Sequence, residues 1–383
     1  MKIEEIDKNF ATKVVEIDGD KITYSIPHEK FDLYGVTYDE AGKCFTRLPK
    51  EKCPNVREHL INLGKCTAGG RLRFSTDSEY FGIEIGYEKL SPMTHMPLSG
   101  SCGFTLLLEE EDGTLVRMAG FRPDIQGCET GYSRTAKLPG GRMRRYILHF
   151  PLYHAVSSLK ITLSATARVE HGKRYKPLAP ILYYGSSITQ GGCASRPDNV
   201  YQGLIAKWNN VDFINLGFSG NAKAEDEMVD YLASIDCSLF VCDYDHNAPD
   251  CAYLEQTHYR LYQRYRAIRK QTPILFLSKP DLFQAERKTL STEKEHFEID
   301  DTADMQVSKA RRDVIWQTYE KAKAAGDKNV YFLDGEELFG KVDMDNCTVD
   351  GCHPNDLGFY RMAQRIYAEM KSISTIFKGE NDD

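Results

Sequence analysis

The chain has 383 residues, of which 41% are hydrophobic and 27% are charged, and its formal net charge at pH 7 is −7. These values suit a globular protein, and the length favours two domains. Lysine and arginine are spread along the chain, and no run of about 18 apolar residues occurs, so we expect neither a nucleic-acid partner nor a membrane partner.

The first ~170 residues are predicted to form short strands broken by turns. Leu72, Phe74 and Thr76 alternate with polar residues, which is the period of an antiparallel strand with one apolar face. One segment, 56–63, has a helical pattern. The pattern predicts a β-sandwich over residues 1–172. Its clearest strands are 21–26, 71–76, 80–85, 103–108, 145–150 and 159–163.

The segment 171–180 is polar and has no periodicity, which is typical of a linker, and a second domain is predicted over 178–383. Apolar runs without alternation follow it and indicate strands that are buried on both faces. Helical spacing lies between the runs, so the pattern predicts a doubly wound α/β domain with a parallel sheet. The acidic stretch 281–304 fits neither pattern and is a candidate lid. The predicted strands are 181–184, 211–216, 239–244, 273–277 and 329–333.

The 11 cysteines are an odd number, with irregular spacing and no Cys-x-x-Cys pair. No apolar run follows the basic residue near the N-terminus, so no secretory signal is expected. We therefore expect reduced thiols in a cytoplasmic protein, with no metal and no cofactor. Cys193 and Cys352 stand close in sequence to candidate site residues, and we interpret both as bystanders.

Polar clusters at 185–192, 217–221 and 245–249 follow three of the buried strands, and another at 350–354 precedes the last helix. Because functional groups gather at the carboxyl ends of parallel strands, we expect the clusters to converge. Each cluster alone has a structural interpretation, such as a turn, a helix cap or a solvated loop histidine. Their occurrence together and in this order favours a catalytic site.

These clusters resemble four consensus blocks of the SGNH hydrolases, also called GDSL esterases. The resemblance extends from about residue 180 to the end of the chain and implies a flavodoxin-like three-layer catalytic domain. The matching segments are Gly185-Ser186-Ser187-Ile188-Thr189, Asn215-Leu216-Gly217-Phe218-Ser219-Gly220, Asp245-His246-Asn247 and Asp350-Gly351-Cys352-His353-Pro354.

The resemblance implies that Ser187 is the nucleophile, His353 its general base and Asp350 the acid that orients the base. It also implies an oxyanion hole made of the Ser187 N–H, the Gly220 N–H and the Asn247 side chain. These residue types suit the chemistry, because a serine hydroxyl attacks an ester only when a neighbouring base takes its proton. Backbone and amide N–H groups can then stabilise the oxyanion that forms.

Residues 1–170 resemble the sandwich that precedes this catalytic domain in a bacterial subgroup, which implies a jelly roll. The matching pieces are Arg47-Leu48-Pro49 and Thr67-Ala68-Gly69-Gly70-Arg71-Leu72-Arg73-Phe74. The nearest match to the subgroup's Gly-x-Asp-Leu-Tyr motif is taken to be Gly103-Phe104-Thr105-Leu106-Leu107, which lacks the Asp and the Tyr.

The chain departs from the family pattern at two places. Ser186 stands where an aspartate usually precedes the nucleophile, and we expect catalysis to tolerate it. Asp245 and His246 replace small residues beside Asn247, so we expect them to narrow the pocket or contact the substrate. His246 is also an alternative base. The candidate substrate contacts are Asp245, His246, Arg196 and Tyr244.

The leading hypothesis is an esterase that removes O-acetyl groups from carbohydrates, since sandwich-bearing relatives often act on such substrates. Tyr34, Tyr38 and Tyr244 are candidate aromatic platforms for a sugar, if the sandwich borders the cleft. Alternatives are a lipase, thioesterase or aryl esterase of the same family, or a non-catalytic glycan-binding relative. The expected partner is a small-molecule or oligosaccharide ester, and a homo-oligomer is allowed.

Overall fold

The computed structural model describes residues 19–124, 129–280 and 302–377. The part before residue 172 is built of antiparallel strands, and the six strands expected from alternation all form, with ends that agree within one residue. Two helices interrupt them, α1 (Glu58–Gly64) and α2 (Leu98–Ser101). The strands are β1 (Lys21–Ile26), β2 (Asp32–Tyr34), β3 (Thr37–Asp39), β4 (Cys44–Thr46), β5 (Arg71–Thr76), β6 (Tyr80–Gly86), β7 (Phe104–Glu109), β8 (Leu115–Phe121), β9 (Gly131–Lys137), β10 (Arg144–His149), β11 (Ser158–Ser164) and β12 (Val169–His171).

Two sheets face each other across an aromatic core. One has the order β1-β11-β6-β9, and the other has the order β12-β5-β10-β7-β8 with β2 paired to β5. The ring of Phe74 stacks on Phe81 of the facing sheet and on Tyr146 of its own, with 5.6 Å between ring centres in each pair. Because alternate residues of these strands point inward, the sandwich predicted from the sequence is confirmed.

The second part is an α/β unit whose parallel sheet has the order β14-β13-β15-β16-β17. This is the flavodoxin-like order, with the first strand inside the sheet. The strands are β13 (Ile181–Gly185), β14 (Phe213–Gly217), β15 (Leu239–Asp243), β16 (Ile274–Leu277) and β17 (Val330–Leu333). The helices are α3 (Ser187–Gln190), α4 (Tyr201–Asn209), α5 (Asp226–Ser234), α6 (Cys251–Ile268), α7 (Thr302–Ala324) and α8 (Asp356–Ile373).

Helices cover both faces of this sheet. Leu182 and Tyr184 of β13 pack in a cluster with α5, α6 and α7, whereas Ile181 and Tyr183 pack in the opposite cluster with α4 and α8. The continuous apolar runs predicted this burial on both sides, and the three-layer α/β fold class is confirmed. No helix in the described part of the chain is both long and apolar enough to cross a membrane. The candidate lid lies almost entirely outside the described residues.

The segment that connects β4 to β5 packs on the α/β unit, which the sequence did not predict. Leu48, Leu60 and Ile61 are buried in the same cluster as Met228 and Leu232 of α5. The N-terminal part therefore covers one face of the C-terminal part. A division of the chain between residues 172 and 178 remains our proposal for the domain boundary.

The buried side chain of Arg47 joins the sandwich to the edge strand β14. Its guanidinium donates to the carbonyl oxygens of Asn215 at 2.8 Å and of Gly217 at 2.9 Å. It also donates to the carbonyl oxygens of Leu63, at 3.2 Å, and Cys66. Burial lowers its pKa to about 10, so the group is still charged at neutral pH. Its hydrogen bonds hold the end of β14 against the sandwich.

Arg71 makes a second buried link, at the start of the same strand β14. It pairs with Asp212, donates to the carbonyl oxygen of Phe213 at 3.0 Å and lies over the Phe213 ring at 3.7 Å. Gly69 precedes it with a positive φ of 81°, and a Cβ there would lie 2.9 Å from the Cβ of Asn215. Glycine is therefore favoured at this close contact between the two parts.

Our placement of the Gly-x-Asp-Leu-Tyr motif at 103–107 was wrong. The sequence Asp32-Leu33-Tyr34 is intact and forms β2, with Lys30 at the glycine position. The Asp32 carboxylate accepts from the N–H of Gly172 at 3.0 Å and contacts the His171 ring at 2.8 Å. The Tyr34 ring packs edge-on against Tyr175 at 4.9 Å. These two side chains fix the linker that leaves the sandwich.

We expect Arg47→Ala to lower the free energy of unfolding by about 3 kcal/mol or more, because it leaves several buried carbonyl groups without a donor. Lys50→Ala is the matched control, since its ion pair with Glu58 is exposed and its loss should cost less than about 1 kcal/mol. Denaturant unfolding of the full chain measures both. Equal midpoints for the two variants would show that Arg47 does not join the two parts.

Candidate active site

The predicted polar clusters do converge at the carboxyl edge of the parallel sheet. Ser186 caps α3 by accepting from the N–H of Ile188 at 3.2 Å, and Ser187 is the first residue of that helix. Ser187 is 8% exposed, so its hydroxyl lies at the floor of the site. The cap at Ser186 explains why a serine can replace the usual aspartate, since both are good N-cap residues.

Three side chains form one hydrogen-bonded chain. The Oγ of Ser187 lies 2.9 Å from Nε2 of His353, and Nδ1 of His353 lies 2.7 Å from Oδ2 of Asp350. The other oxygen of Asp350 accepts from the backbone N–H groups of Cys352 at 3.0 Å and His353 at 2.8 Å. Asp350 is thus held by its own loop, and it sets which nitrogen of the His353 ring faces the serine.

Asp350 is a charged carboxylate. Partial burial acts to raise its pKa, but the hydrogen bonds from the His353 backbone and ring, and from the Cys352 backbone, outweigh it and lower the pKa to about 2. A negative charge beside Nδ1 stabilises the imidazolium that would form when Nε2 takes a proton. The arrangement can therefore activate the Ser187 hydroxyl.

Two further predicted residues lie on neighbouring loops. Gly220 has a positive φ of 66°, and a Cβ built there would meet nothing within 4 Å, so its backbone faces open space. Asn247 ends a 3₁₀ turn after β15, and its Oδ1 accepts from the N–H of Ala222 at 3.1 Å. With Oδ1 committed to that loop, the Nδ2 branch is the one left to donate elsewhere.

The sandwich contributes residues that the sequence analysis missed. The hydroxyl of Tyr153 donates to the carbonyl oxygen of Ser187 at 3.1 Å. The exposed ring of His95 lies 6.0 Å from the ring of His353. Gln190 of α3 links both parts, donating to the Leu152 carbonyl at 3.2 Å and accepting from the Ser219 N–H at 2.9 Å. No periodicity marks these loop residues, because their position depends on how the sandwich docks.

Two predicted substrate contacts are corrected by the structure. Tyr244 is 1% exposed, and its hydroxyl is bonded to Thr257 at 2.8 Å, so it is a core residue beneath the site. Asp245 is also 1% exposed, and its carboxylate accepts from the Lys279 N–H at 3.0 Å. Both side chains lie too deep to touch a ligand.

His246 and Arg196 remain predicted contacts. The half-buried His246 ring lies 3.9 Å from the Cys352 thiol, which narrows the space beside Asn247. Burial lowers its pKa to about 3, and His353 rather than His246 reaches the Ser187 hydroxyl. The guanidinium of Arg196 binds Asp198 at 3.1 Å and Asn199 at 2.6 Å, so it would have to leave its own turn to reach a substrate.

The predicted sandwich tyrosines do not reach the site. Tyr34 packs on Tyr175 at the linker, and Tyr38 packs on Phe45 with 5.1 Å between ring centres. An aromatic platform for a sugar made of these residues was therefore wrong. The sandwich does border the site, but through Tyr153 and His95.

Two models of known protein families match the chain. Residues 178–371 match the model of the GDSL-like lipase/acylhydrolase family, and residues 23–169 match the GxDLY model of the N-terminus of SGNH hydrolase-type esterases. The chain therefore belongs to the GDSL-like lipase/acylhydrolase family, also known as the SGNH hydrolases. No curated protein sequence matches the chain.

Solved structures share the whole two-part architecture. A protein described as a GDSL-like lipase from Bacteroides ovatus is 25% identical, with a TM-score of 0.78 over 92% of this chain and 98% of that one. A salicylyl-acyltransferase from a tetracycline biosynthetic pathway is 16% identical, with a TM-score of 0.72 over 92% and 97%. An acetyl xylan esterase from the rumen bacterium Butyrivibrio proteoclasticus is 12% identical, with a TM-score of 0.55 over 94% and 100%.

The low pKa of Asp350 makes a prediction about pH. Its folded-state pKa of about 2 lies below the ordinary 3.8, so its stabilising effect is present above about pH 4 and is lost as the pH falls toward 2. Above about pH 4 the Asp350 carboxyl should stay ionised, so its protonation should not contribute to any change in the rate at which a fluorophosphonate labels Ser187.

The labelling rate is measured by mass spectrometry with Ser187→Ala as the unlabelled control, and a plot of log rate against pH should be no steeper than slope one above pH 4, because Asp350 takes up no proton there. A slope of two above pH 4 would show that Asp350 is protonated in that range and that its pKa is not lowered.

Proposed function

We propose that the protein is a serine esterase that hydrolyses short acyl esters, chiefly O-acetyl esters of carbohydrates. The observation that carries the proposal is the unbroken hydrogen-bonded chain from Ser187 through His353 to Asp350. A solvated or purely structural histidine would not require a serine hydroxyl on one ring nitrogen and a carboxylate on the other, whereas a general base does. The non-catalytic alternative has no explanation for this alignment.

In the first step, Oγ of Ser187 attacks the ester carbonyl carbon while Nε2 of His353 takes the hydroxyl proton. The carbonyl oxygen becomes an oxyanion, stabilised by the N–H groups of Ser187 and Gly220 and by Nδ2 of Asn247. Asp350 stabilises the imidazolium. The tetrahedral species then collapses, the sugar oxygen leaves with the proton from Nε2, and the acyl group stays on Ser187.

In the second step, a water molecule gives a proton to Nε2 of His353 and attacks the acyl-enzyme carbonyl through the same oxyanion hole. Collapse releases the carboxylic acid, and the proton on Nε2 returns to Oγ of Ser187. A sugar or other hydroxyl in place of this water would give acyl transfer, which is the activity named for the salicylyl-acyltransferase of similar fold.

Two features support a short acyl group. His246 stands beside Asn247, and Nδ1 of its ring lies 3.9 Å from the Cys352 thiol. A Cβ at Gly192 would lie 3.0 Å from the Tyr153 hydroxyl, 3.1 Å from the His353 ring and 3.2 Å from the Ser187 carbonyl oxygen. Space around the nucleophile is therefore narrow, which favours acetyl over a long chain. The acetyl xylan esterase of similar fold supports a carbohydrate as the alcohol part.

We expect the full chain to release acetate from acetylated oligosaccharides, and to turn over nitrophenyl acetate faster than the eight-carbon ester. Ser187→Ala should lower kcat by about 10⁴-fold or more with the fold intact. Ser186→Ala is the matched control, because it removes a neighbouring buried hydroxyl that only caps α3, and its main cost should be about 1 kcal/mol of stability.

Faster turnover of the eight-carbon ester would replace the acetyl-esterase proposal with a lipase-like one. A high rate on thioesters or aryl esters, with none on acetylated sugars, would select the corresponding alternative. Acyl transfer to an added alcohol that exceeds hydrolysis would identify an acyltransferase.

Substitution of Asn247 tests the oxyanion hole. Asn247→Ala should lower kcat by about 10²–10³-fold with little change in KM, because the donor acts mainly in the transition state. Asn247→Asp keeps an acceptor for the Ala222 N–H but puts a negative oxygen where Nδ2 donates, so it should be at least as slow. If Asn247→Asp keeps most of the wild-type kcat, the residue only supports its loop.

A further inference from the structure

Three side chains of the types that bind metal ions lie close together at the candidate active site. They are His95 from the loop that precedes α2, Cys193 from the loop that follows α3, and His353 itself. One ligand atom of each lies within 4.8 Å of the other two. The three residues are far apart in sequence and show no ligand spacing, so the sequence analysis gave no sign of them and took Cys193 for a bystander.

The donor set fits a thiophilic divalent cation. Two imidazoles and one thiolate are typical zinc ligands, and at ordinary zinc–ligand lengths of about 2.0–2.3 Å they stand roughly 3.3–3.8 Å apart in a tetrahedron. The donors here lie within 4.8 Å of one another, so they need to approach by at most about an ångström. His95 is exposed, so its side chain has room to move toward the other two. Cys193 is 4% exposed and has a positive φ of 71°, so its thiol is held in place.

The ring of His353 is already oriented as zinc-binding histidines are. Its Nδ1 is held by Asp350 at 2.7 Å, and a carboxylate on the far nitrogen is the usual outer partner of such a ligand. Nε2 is left to bind the metal. That same atom is the one that contacts Oγ of Ser187 at 2.9 Å. A cation on Nε2 and the hydroxyl of Ser187 therefore compete for one lone pair.

We propose that Zn²⁺ binds His95, Cys193 and His353, with water as the fourth ligand, and reversibly inhibits the enzyme by occupying its general base. On binding, the Cys193 thiol loses its proton to solvent, both imidazoles bind in their neutral form, and no group changes oxidation state. Ser187 then has no acceptor for its proton. The inhibitory effect rests on the proposed esterase function, whereas the binding site does not.

The experiment uses the full chain and measures binding and activity separately. Equilibrium dialysis with Zn²⁺ gives the stoichiometry and affinity, and Co²⁺ in place of Zn²⁺ gives a thiolate charge-transfer band that reports the cysteine ligand. Turnover of nitrophenyl acetate is followed against free Zn²⁺ and after addition of a chelator. The variants are His95→Ala and Cys193→Ser, with His59→Ala as the control for an exposed histidine on α1.

We expect one Zn²⁺ per chain, inhibition that the chelator reverses, and affinity at least about tenfold weaker in both site variants but unchanged in His59→Ala. Inhibition of each variant by Zn²⁺ is expressed relative to the zinc-free turnover of that same variant. Ser187→Ala should bind Zn²⁺ as the wild type does, so dialysis decides the metal site even if no variant hydrolyses an ester.

Zinc affinity or inhibition that is equal in the wild type and in His95→Ala would show that the metal binds His353 without the cluster, and would overturn the proposal. The proposal would also be overturned if the wild-type chain did not bind one Zn²⁺ per chain in dialysis. His95 is exposed, so its variant remains informative if Cys193→Ser does not fold.

Discussion

The structure depends on a buried positive charge that has no carboxylate partner within the described residues 19–124, 129–280 and 302–377. Arg47 is satisfied by backbone carbonyls of its own part and of β14, including those of Asn215 and Gly217. An unpaired buried guanidinium is costly, so both sets of acceptors must be in place. The end of β14 leads directly to Gly220, and the sandwich therefore sets the position of the loop that carries a proposed oxyanion donor. The sandwich is therefore a structural support of the candidate site rather than an independent module.

The position of the candidate nucleophile Ser187 also depends on contacts with the sandwich. Tyr153 binds the carbonyl oxygen of Ser187, and Gln190 bridges the Leu152 carbonyl and the Ser219 N–H. Catalytic geometry that tolerates only small displacements needs this kind of second layer. An isolated C-terminal part would lose these contacts together with the buried cover over α5. The function of the sandwich is therefore tested by point substitutions at its contacts, since removing it would also remove structural support.

Much of the fold and the grouping of the candidate site residues could be predicted because the signals are local. Alternation located the sandwich strands, unbroken apolar runs located the parallel ones, and Ser187, Asp350 and His353 stand in short motifs. Tyr244 was misassigned because the period of two along β15 turns it, like Cys242, toward the helices instead of the cleft. The Asp32-Leu33-Tyr34 motif was missed because Lys30 replaces its glycine. Tyr153 and His95 could not be found, since they reach the site only through the docking of one part on the other.

The packing of residues 48–61 has a consequence for how the chain is made. Leu48, Leu60 and Ile61 leave the ribosome long before α5, which buries them in the finished protein. The strands of the sandwich can pair as they emerge, but this apolar segment stays uncovered until the α/β part has been synthesised. Nascent chains that stall after synthesis of the sandwich thus expose an apolar surface that is buried in the complete protein. Chaperone capture and aggregation should both peak in that interval of synthesis.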